Sequence, residues 1–253
     1  MGLNSGNASG VNEMKLYAAQ TQDTVMRTLN FDRFKALTFD CYGTLIDWET
    51  GLLNALRPVL AAHGCILEDA QILKFYSELE PQEQNPYRRY RDVLANIVRG
   101  FGQKLGFAVS DEEAEQLPDS LRNWLPFPDT VAALQRLKEK YRLAIISNTD
   151  DDFFTETARH LEVDFDEVIT AEQAQAYKPS PAPFLLALQR LSLPREQVLH
   201  VGQSIYHDVL PAKSLGLSTA LVYRRGFGAT TPVEGEPDVQ VPDLKTLAKL
   251  AVK

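Results

Sequence analysis

The chain has 253 residues, 44% of them hydrophobic and 24% charged, with a formal net charge of −8, which is the composition of an ordinary globular protein. The acidic balance argues against nucleic acid or an anionic membrane surface as a partner, and no apolar run approaches the ~20 residues that a membrane span needs. Two cysteines, Cys41 and Cys65, exclude a disulfide framework and favour a reduced compartment, so we expect a cytoplasmic protein without a secretion signal.

The predicted elements begin with an N-terminal extension over residues 1–33. Its start is rich in Gly, Asn and Ser, which favours a flexible tail, whereas residues 13–33 have some helical character. From residue 34 onward, apolar strands alternate with helical patterns, which is typical of a parallel sheet. We therefore expect an α/β fold with a doubly wound, Rossmann-like core. The predicted strands are 36–39, 143–146, 167–169, 198–201 and 219–222, and the predicted helices are 130–140, 153–161, 182–191 and 208–215.

The stretch between the first two predicted strands is too long for a simple crossover. It carries four helical patterns, at 50–63, 68–79, 86–105 and 111–124. We therefore predict a helical cap domain over residues 48–126, inserted into a core that is formed by residues 34–47 and 127–253.

Polar side chains follow the predicted strands at their carboxyl ends, where ligands of open α/β sheets bind. These side chains are Asp40, Ser147, Asn148 and Gln203, with Thr44 and Lys178 in loops that follow strands. A carboxylate such as Asp40 at the end of a buried strand is costly unless it is used, and it is a candidate nucleophile. An aspartate before a glycine turn is also typical of a purely structural turn, and Asn148 or Asp208 could equally cap the helix that follows.

A lysine close to Asp40 would keep that carboxylate ionised and its pKa low, and we expect Lys178 in this role. Hydroxyl and amide groups at strand ends are suited to hydrogen-bonding an oxyanion or a carboxylate. The side chains that we expect to contact the substrate are Tyr42, Thr44, Ser147, Asn148 and Arg88.

The motifs Asp40-Cys41-Tyr42-Gly43-Thr44, Ser147-Asn148, Lys178-Pro179 and Gly202 to Asp208 together resemble the four signature motifs of the haloacid dehalogenase superfamily. The resemblance covers nearly the whole chain from residue 34 and includes a helical cap in the matching place. It implies a hydrolase whose catalytic residues are Asp40 as nucleophile, Lys178 as its charge partner and Asp208 as the group that orients the lysine or the hydrolytic water.

Two positions depart from the phosphatases of this superfamily. Tyr42 stands where they carry a second aspartate that acts as general acid, and Gln203 stands where they carry a magnesium-binding aspartate. A phenol is a weak acid at neutral pH, and Mg²⁺ prefers anionic oxygen ligands. The pattern is similar to the type II 2-haloacid dehalogenase branch, which implies attack of Asp40 on C2, loss of halide, hydrolysis of an aspartyl ester and no cofactor.

The match to that branch is incomplete in the predicted cap. Its members usually carry an arginine there that holds halide or carboxylate, and a rough comparison places Glu80-Pro81-Gln82 at that point. Arg88 is close in sequence and is our candidate for the same task. Further along the chain, Phe184 and Ile205 replace a tyrosine and a water-activating side chain of the branch.

Two other functions stay open at this point. One is a phosphatase that acts on a small phosphate ester with Mg²⁺ held by Asp40, Tyr42 and Asp208. The other is a member with weak catalysis that binds a metabolite or a protein. We expect a small anionic substrate and a monomer or homodimer.

Overall fold

The computed structural model describes residues 29–224 and 233–252. The predicted flexible tail and residues 13–28 of the predicted helical stretch lie outside these ranges. Within them, the strands are β1 (Ala36–Phe39), β2 (Arg142–Ser147), β3 (Glu167–Thr170), β4 (Val198–Gly202), β5 (Ser218–Val222) and β6 (Val239–Val241). They form one parallel sheet in the order β3-β2-β1-β4-β5-β6. The predicted doubly wound α/β core is therefore confirmed.

The reversal of strand order places the ends of β1, β2 and β4 beside a common crevice. Every residue of β1, β4 and β5 is buried, as expected for strands that are covered by helices on both faces. The register pairs Phe39 at the end of β1 with Ile145 on one side and Val201 on the other. The residue after Phe39 is thus delivered to the crevice at the topological switch point.

Ten α-helices lie within the described residues, and none of them is long and apolar enough to cross a membrane. They are α1 (Trp48–Ala62), α2 (Asp69–Glu83), α3 (Tyr90–Leu105), α4 (Asp111–Ser120), α5 (Thr130–Lys138), α6 (Asp151–Leu161), α7 (Ala171–Ala174), α8 (Ala182–Leu191), α9 (Leu210–Ser214) and α10 (Leu244–Ala251). The predicted helix at 208–215 begins earlier than expected, as a π-helical turn over Ile205–Val209 that leads into α9.

Helices α1 to α4, called the inserted helices below, stand in the chain between β1 and β2. Local signals start them: the Asp47 carboxylate accepts a hydrogen bond from the Thr50 amide, and Ser110 forms a capping box with Glu113. Their buried side chains, among them Leu56, belong to the same apolar cluster as those of the sheet. This continuous packing fixes the inserted helices over the carboxyl edge of the sheet.

Candidate active site

Lys178 lies at the centre of a buried charge network. Its Nζ donates to Asp40 Oδ1 at 2.8 Å and to Asp208 Oδ1 at 2.7 Å. The exposed fractions are 2% for Lys178, 7% for Asp40 and 1% for Asp208. An ammonium group between two carboxylates compensates charges that would each cost several kcal/mol if they were buried alone. The sequence placed these three side chains at the ends of different strands, and the structure brings them together.

The pKa values of the three groups differ in how far neighbouring charges offset the effect of burial. Burial raises the pKa of Asp40 above its ordinary value, although the ammonium of Lys178 opposes this. At Asp208 burial acts in the same direction, but Lys178 and His200 outweigh it and hold the pKa of that carboxyl well below its ordinary range. Burial opposes the charge on Lys178, yet the two carboxylates raise the pKa of its ammonium group. Asp40 is thus the more basic carboxylate, which suits a nucleophile.

Thr44 holds Asp40 in place from the following turn. Its hydroxyl donates to Asp40 Oδ2 at 2.6 Å and accepts a hydrogen bond from the Gln203 amide at 3.0 Å. Thr44 is fully buried and does not line the cavity described below. The expected contact of Thr44 with substrate is therefore replaced by a positioning role. Gly43 allows this turn, because its φ is +96° and an added Cβ would lie 2.9 Å from Trp48 Nε1.

Asn148 is engaged in a similar way by the backbone of Lys178. Its Nδ2 donates to the Lys178 carbonyl at 3.0 Å, and its Oδ1 accepts from the Lys178 amide at 2.7 Å. The side chain that we expected to bind substrate thus fixes the lysine loop. Ser147 differs, because its Oγ is buried in the cavity wall without a hydrogen-bond partner. A buried hydroxyl without a partner is costly, so Ser147 is suited to bind a ligand.

A cavity of about 80 Å³ opens in front of Asp40 and Lys178. It has room for a ligand of only a few heavy atoms. Five of its lining side chains are aromatic: Tyr42, Trp48, Tyr76, Tyr90 and Trp124. The remaining polar lining residues are Glu80, Ser147, Asn148, Gln203, Ser204, His207 and Asp208. The cavity is therefore largely walled by rings, with charge concentrated at the sheet edge and at Glu80.

Tyr42 contributes its ring to this wall. Its hydroxyl lies 2.7 Å from Thr157 Oγ1, and its ring meets Trp124 edge-on with the centroids 5.8 Å apart. Burial raises the pKa of Tyr42 far above that of an ordinary phenol. The side chain is therefore suited to shape the cavity and is unsuited to protonate a leaving group.

The inserted helices reach the site through a contact at the start of α3. The buried carboxylate of Asp150 accepts hydrogen bonds from the amides of Tyr90 at 2.9 Å and Arg91 at 3.0 Å. The Tyr177 hydroxyl donates to the Arg88 carbonyl at 2.8 Å. Two loops of the core thus hold the first turn of α3, and Tyr90 on that turn enters the cavity wall.

The arginine expected in the site is elsewhere. Arg88 Nη1 pairs with Glu83 Oε2 at 3.0 Å, and Arg88 does not line the cavity. Arg89 pairs with Asp152 at 3.2 Å, and Arg91 pairs with Glu115 at 2.8 Å. The structure therefore does not support the prediction that Arg88 contacts the substrate in this cavity. No arginine is among the cavity-lining residues of the described chain.

Glu80 is one of the lining residues that the sequence reasoning missed, as are Trp48, Tyr76, Tyr90 and Trp124. The helical pattern was ended at residue 79, before Pro81, whereas α2 continues through that proline to Glu83. Tyr76 and Glu80 are four residues apart and so share one face of α2. This i, i+4 spacing would have predicted that Glu80 lies beside Tyr76, once the helix is extended by one turn.

The residues at the site do not fit a magnesium ion well. Within the described residues, no group of three or more His, Cys, Asp or Glu side chains is arranged to hold a metal. Asp40 and Asp208 both accept hydrogen bonds from Lys178, the Tyr42 phenol is strongly held in its protonated form, and Gln203 is a neutral amide. Mg²⁺ prefers anionic oxygen ligands, and the ammonium occupies the place between the two carboxylates that are present.

Comparison with known proteins identifies the same family as the four sequence motifs. A family model described as a haloacid dehalogenase-like hydrolase matches residues 34–216. The haloacetate dehalogenase H-2 of Moraxella sp. (strain B) is 26% identical over 225 residues, which cover 86% of this chain and 98% of that protein. The glyceraldehyde 3-phosphate phosphatase of Methanothermobacter thermautotrophicus is 31% identical over 195 residues, which cover 74% of this chain and 85% of that protein.

Solved structures show the same fold. The structure of the L-2-haloacid dehalogenase from Xanthobacter autotrophicus with chloropropionic acid covalently bound superposes with a TM-score of 0.74 at 22% identity. The match covers 86% of this chain and 98% of that one. At this identity, the likeness concerns the arrangement of the sheet and helices.

Proposed function

The chain belongs to the haloacid dehalogenase-like hydrolase family, and from this premise we propose that it cleaves a carbon–halogen bond through an ester on Asp40, without a metal ion. One observation carries the proposal. Asp40 is paired with Lys178 at 2.8 Å, while Tyr42 and Gln203 stand where an acid and a third carboxylate would be needed for phosphate ester hydrolysis. Halide leaves as an anion and needs no proton donor.

In the first step, a carboxylate oxygen of Asp40 attacks the carbon that carries the halogen. The new C–O bond forms as the carbon–halogen bond breaks, and the halide departs with the electron pair of that bond. Lys178 and the Thr44 hydroxyl hold the carboxylate at 2.8 and 2.6 Å and fix its direction of attack. Ser147 Oγ, buried in the wall without a partner, can donate to a carbonyl oxygen of the substrate.

In the second step, water adds to the carboxyl carbon of Asp40. The bond between that carbon and the substrate oxygen then breaks, so the alcohol leaves with an original Asp40 oxygen and the carboxylate keeps one from water. One proton of the water goes to the alcohol, and the other goes to a base. His207 lines the cavity and suits that role, because Asp208 is a weak base whose oxygens accept from Lys178 and Ser204.

The test is isotope labelling under single-turnover conditions with L-2-chloropropionate and L-2-chloropropionamide. With enzyme in excess in H₂¹⁸O, we expect the label in the peptide that contains Asp40 and unlabelled oxygen in the product. Asp40→Asn, checked for deamidation, should release no halide, whereas Asp111→Asn, at an exposed position, should match the wild type. Label in the product alone, or magnesium-dependent turnover of phosphate esters without halide release, would refute the proposal.

A further inference from the structure

Glu80 brings a carboxyl group into a cavity wall that we expected to carry an arginine. Tyr76 Oη donates to Glu80 Oε1 at 2.7 Å, and Tyr90 Oη donates to the same oxygen at 3.2 Å. The two hydroxyls lie 2.9 Å apart, and both tyrosines are buried. Tyr76, Glu80 and Tyr90, called the Glu80 cluster below, are thus a preorganised group held by two of the inserted helices.

The cluster leaves one oxygen of Glu80 for a ligand. Both phenols bind Oε1, and no hydrogen bond within the described residues uses Oε2. Glu80 itself lines the cavity. Burial raises the pKa of this carboxyl above its ordinary value, although the Tyr76 hydroxyl and the nearby His207 oppose the shift. In either protonation state, Glu80 brings an oxygen that accepts hydrogen bonds to the cavity wall.

The cavity wall offers little positive charge to an anionic group of the substrate. Asp40, Asp208 and Glu80 bring three carboxyl groups to its wall, and Lys178 is the one lysine or arginine among the described residues that line it. That ammonium already donates to both Asp40 and Asp208. A substrate carboxylate would therefore meet a hydrogen-bond acceptor at Glu80, and no arginine among the described lining residues would hold it.

We propose that the Glu80 cluster binds an N–H donor of the substrate, a carboxamide or an ammonium group, where haloacid-hydrolysing relatives would hold a carboxylate. Trp48 and Tyr76, with ring centroids 5.4 Å apart, provide apolar faces that accept either a planar amide or a cation. This inference rests on the proposed function, which supplies the reaction at Asp40. It refines that function by naming the substrate class. The binding preference itself can be measured without turnover.

The binding test uses the two tryptophans of the chain, Trp48 and Trp124, which both line the cavity and report on its occupation by fluorescence. Wild type is titrated with propionate, propionamide and propylammonium, which have similar size and no halogen. We expect at least one of the two N–H donors to bind about tenfold more tightly than propionate, or better. Propionate binding as tightly as both donors would overturn the inference.

Variants at Glu80 identify which donor is bound. Glu80→Gln keeps an acceptor oxygen and removes the charge, so affinity for propylammonium should fall about tenfold while affinity for propionamide changes less than about threefold. Glu80→Leu should remove the preference for either donor over propionate. Glu78→Gln is the matched control, because Glu78 is an exposed carboxylate on the same helix that pairs with Lys104. A preference that survives Glu80→Leu in a folded protein would overturn the inference.

Halide release separates this inference from the proposed function. The wild type is assayed with L-2-chloropropionate, L-2-chloropropionamide and 2-chloropropylammonium. A kcat/KM that is highest for chloropropionate would keep the proposed reaction and overturn the role of Glu80. Tighter binding of the donors without halide release from any compound would support the role of Glu80 and overturn the proposed reaction.

Discussion

Asp208 packs so closely against Gly202 that a methyl group added to this glycine would have no room. A Cβ built on Gly202 would lie 2.4 Å from Asp208 Oδ2 and 2.6 Å from Asp208 Cβ, so the whole side chain would have to shift. Asp208 in turn accepts from Lys178 Nζ at 2.7 Å, and the same ammonium holds Asp40. The geometry of the nucleophile therefore depends on a glycine one strand away.

We predict that Gly202→Ala lowers the free energy of unfolding by about 1–3 kcal/mol and reduces kcat by tenfold or more, because overpacking displaces Asp208 and its lysine. Urea denaturation and the assay for halide release measure the two effects. Gly100→Ala is the control, since the atoms nearest to its Cβ would belong to the side chain of Leu79, whose methyl groups lie at 3.0 Å. Equal losses in the two variants would contradict this account.

His207 gives a second prediction at the level of single residues. If it accepts the proton of the hydrolytic water, His207→Asn should release about one equivalent of halide per site and then stall with the ester on Asp40. Intact-mass spectrometry should detect the added substrate mass. His63→Asn, which removes an imidazole paired with Glu113 away from the cavity, should turn over normally. Steady turnover by His207→Asn at the wild-type rate would exclude this role.

Strand ends were sufficient to find Asp40 and Ser147, because parallel strands bring their carboxyl ends to one crevice. Lys178 and Asp208 were singled out by their place in the signature motifs of the superfamily. The same reasoning could not tell a hydroxyl that faces the cavity from one that serves a neighbour. Thr44 and Asn148 have suitable chemistry, yet Asp40 and the backbone of Lys178 occupy their polar atoms. Which partner a side chain takes depends on distances that one sequence does not contain.

At the level of elements, the start of α3 connects the inserted helices to the core. The side chain of Arg89 at the N-cap makes no capping hydrogen bond to α3, so the amides of Tyr90 and Arg91 depend on the fully buried carboxylate of Asp150. Asp150 immediately precedes α6, which follows β2. A core residue therefore caps a helix of the insert and sets the position of Tyr90 in the cavity.

We predict that Asp150→Ala lowers the free energy of unfolding by about 2–4 kcal/mol, because it removes a cap and leaves two amides without a partner. The Michaelis constant should rise as well, since Tyr90 loses its support. Denaturant unfolding and steady-state kinetics measure both effects. Asp152→Ala, which removes an exposed ion pair with Arg89, should cost less than about 1 kcal/mol. Similar losses in both variants would argue against the capping role.

The apolar pattern explains why the longer strands were predictable. Strands of four or more residues were predicted within one residue at each end, because each contains a short apolar run. β6 has only three residues, Val239–Val241, which is too short a run to recognise. α10 was not predicted, although its buried residues Leu244, Leu247, Ala248 and Ala251 recur at helical spacing. The end of α2 was missed because a proline usually ends a helix, whereas this helix runs past Pro81. Tyr76 and Tyr90 pack around Glu80 in its last turns.

At the level of the whole molecule, the two parts of the chain divide the work of the site. The sheet edge supplies Asp40, Lys178 and Asp208, whereas the inserted helices supply Trp48, the Glu80 cluster and most of the aromatic wall. Both parts share one apolar cluster, so the cavity between them is held by packing as well as by charge.

The buried charges also make global stability depend on pH. The folded-state pKa of Asp208 lies below its unfolded value of about 3.9, so its contribution is fully present above that pH and is lost as pH falls towards the folded value. At Asp208, the unfolded chain binds more protons than the folded one in this acidic range, so this group makes stability rise with pH. The raised pKa values of Asp40 and Glu80 act in the opposite direction and weaken the total dependence.

We predict that the free energy of unfolding of the wild type falls steeply below about pH 4, and that Asp208→Asn, although less stable at neutral pH, has a flatter acid limb. The reason is that the amide removes the group whose protonation is linked to unfolding. Denaturant titrations at a series of pH values measure both slopes. Asp111→Asn, at a carboxylate that is 98% exposed, should keep the slope of the wild type. If Asp208→Asn showed that same slope, the buried ion pair would not be the source of the acid sensitivity.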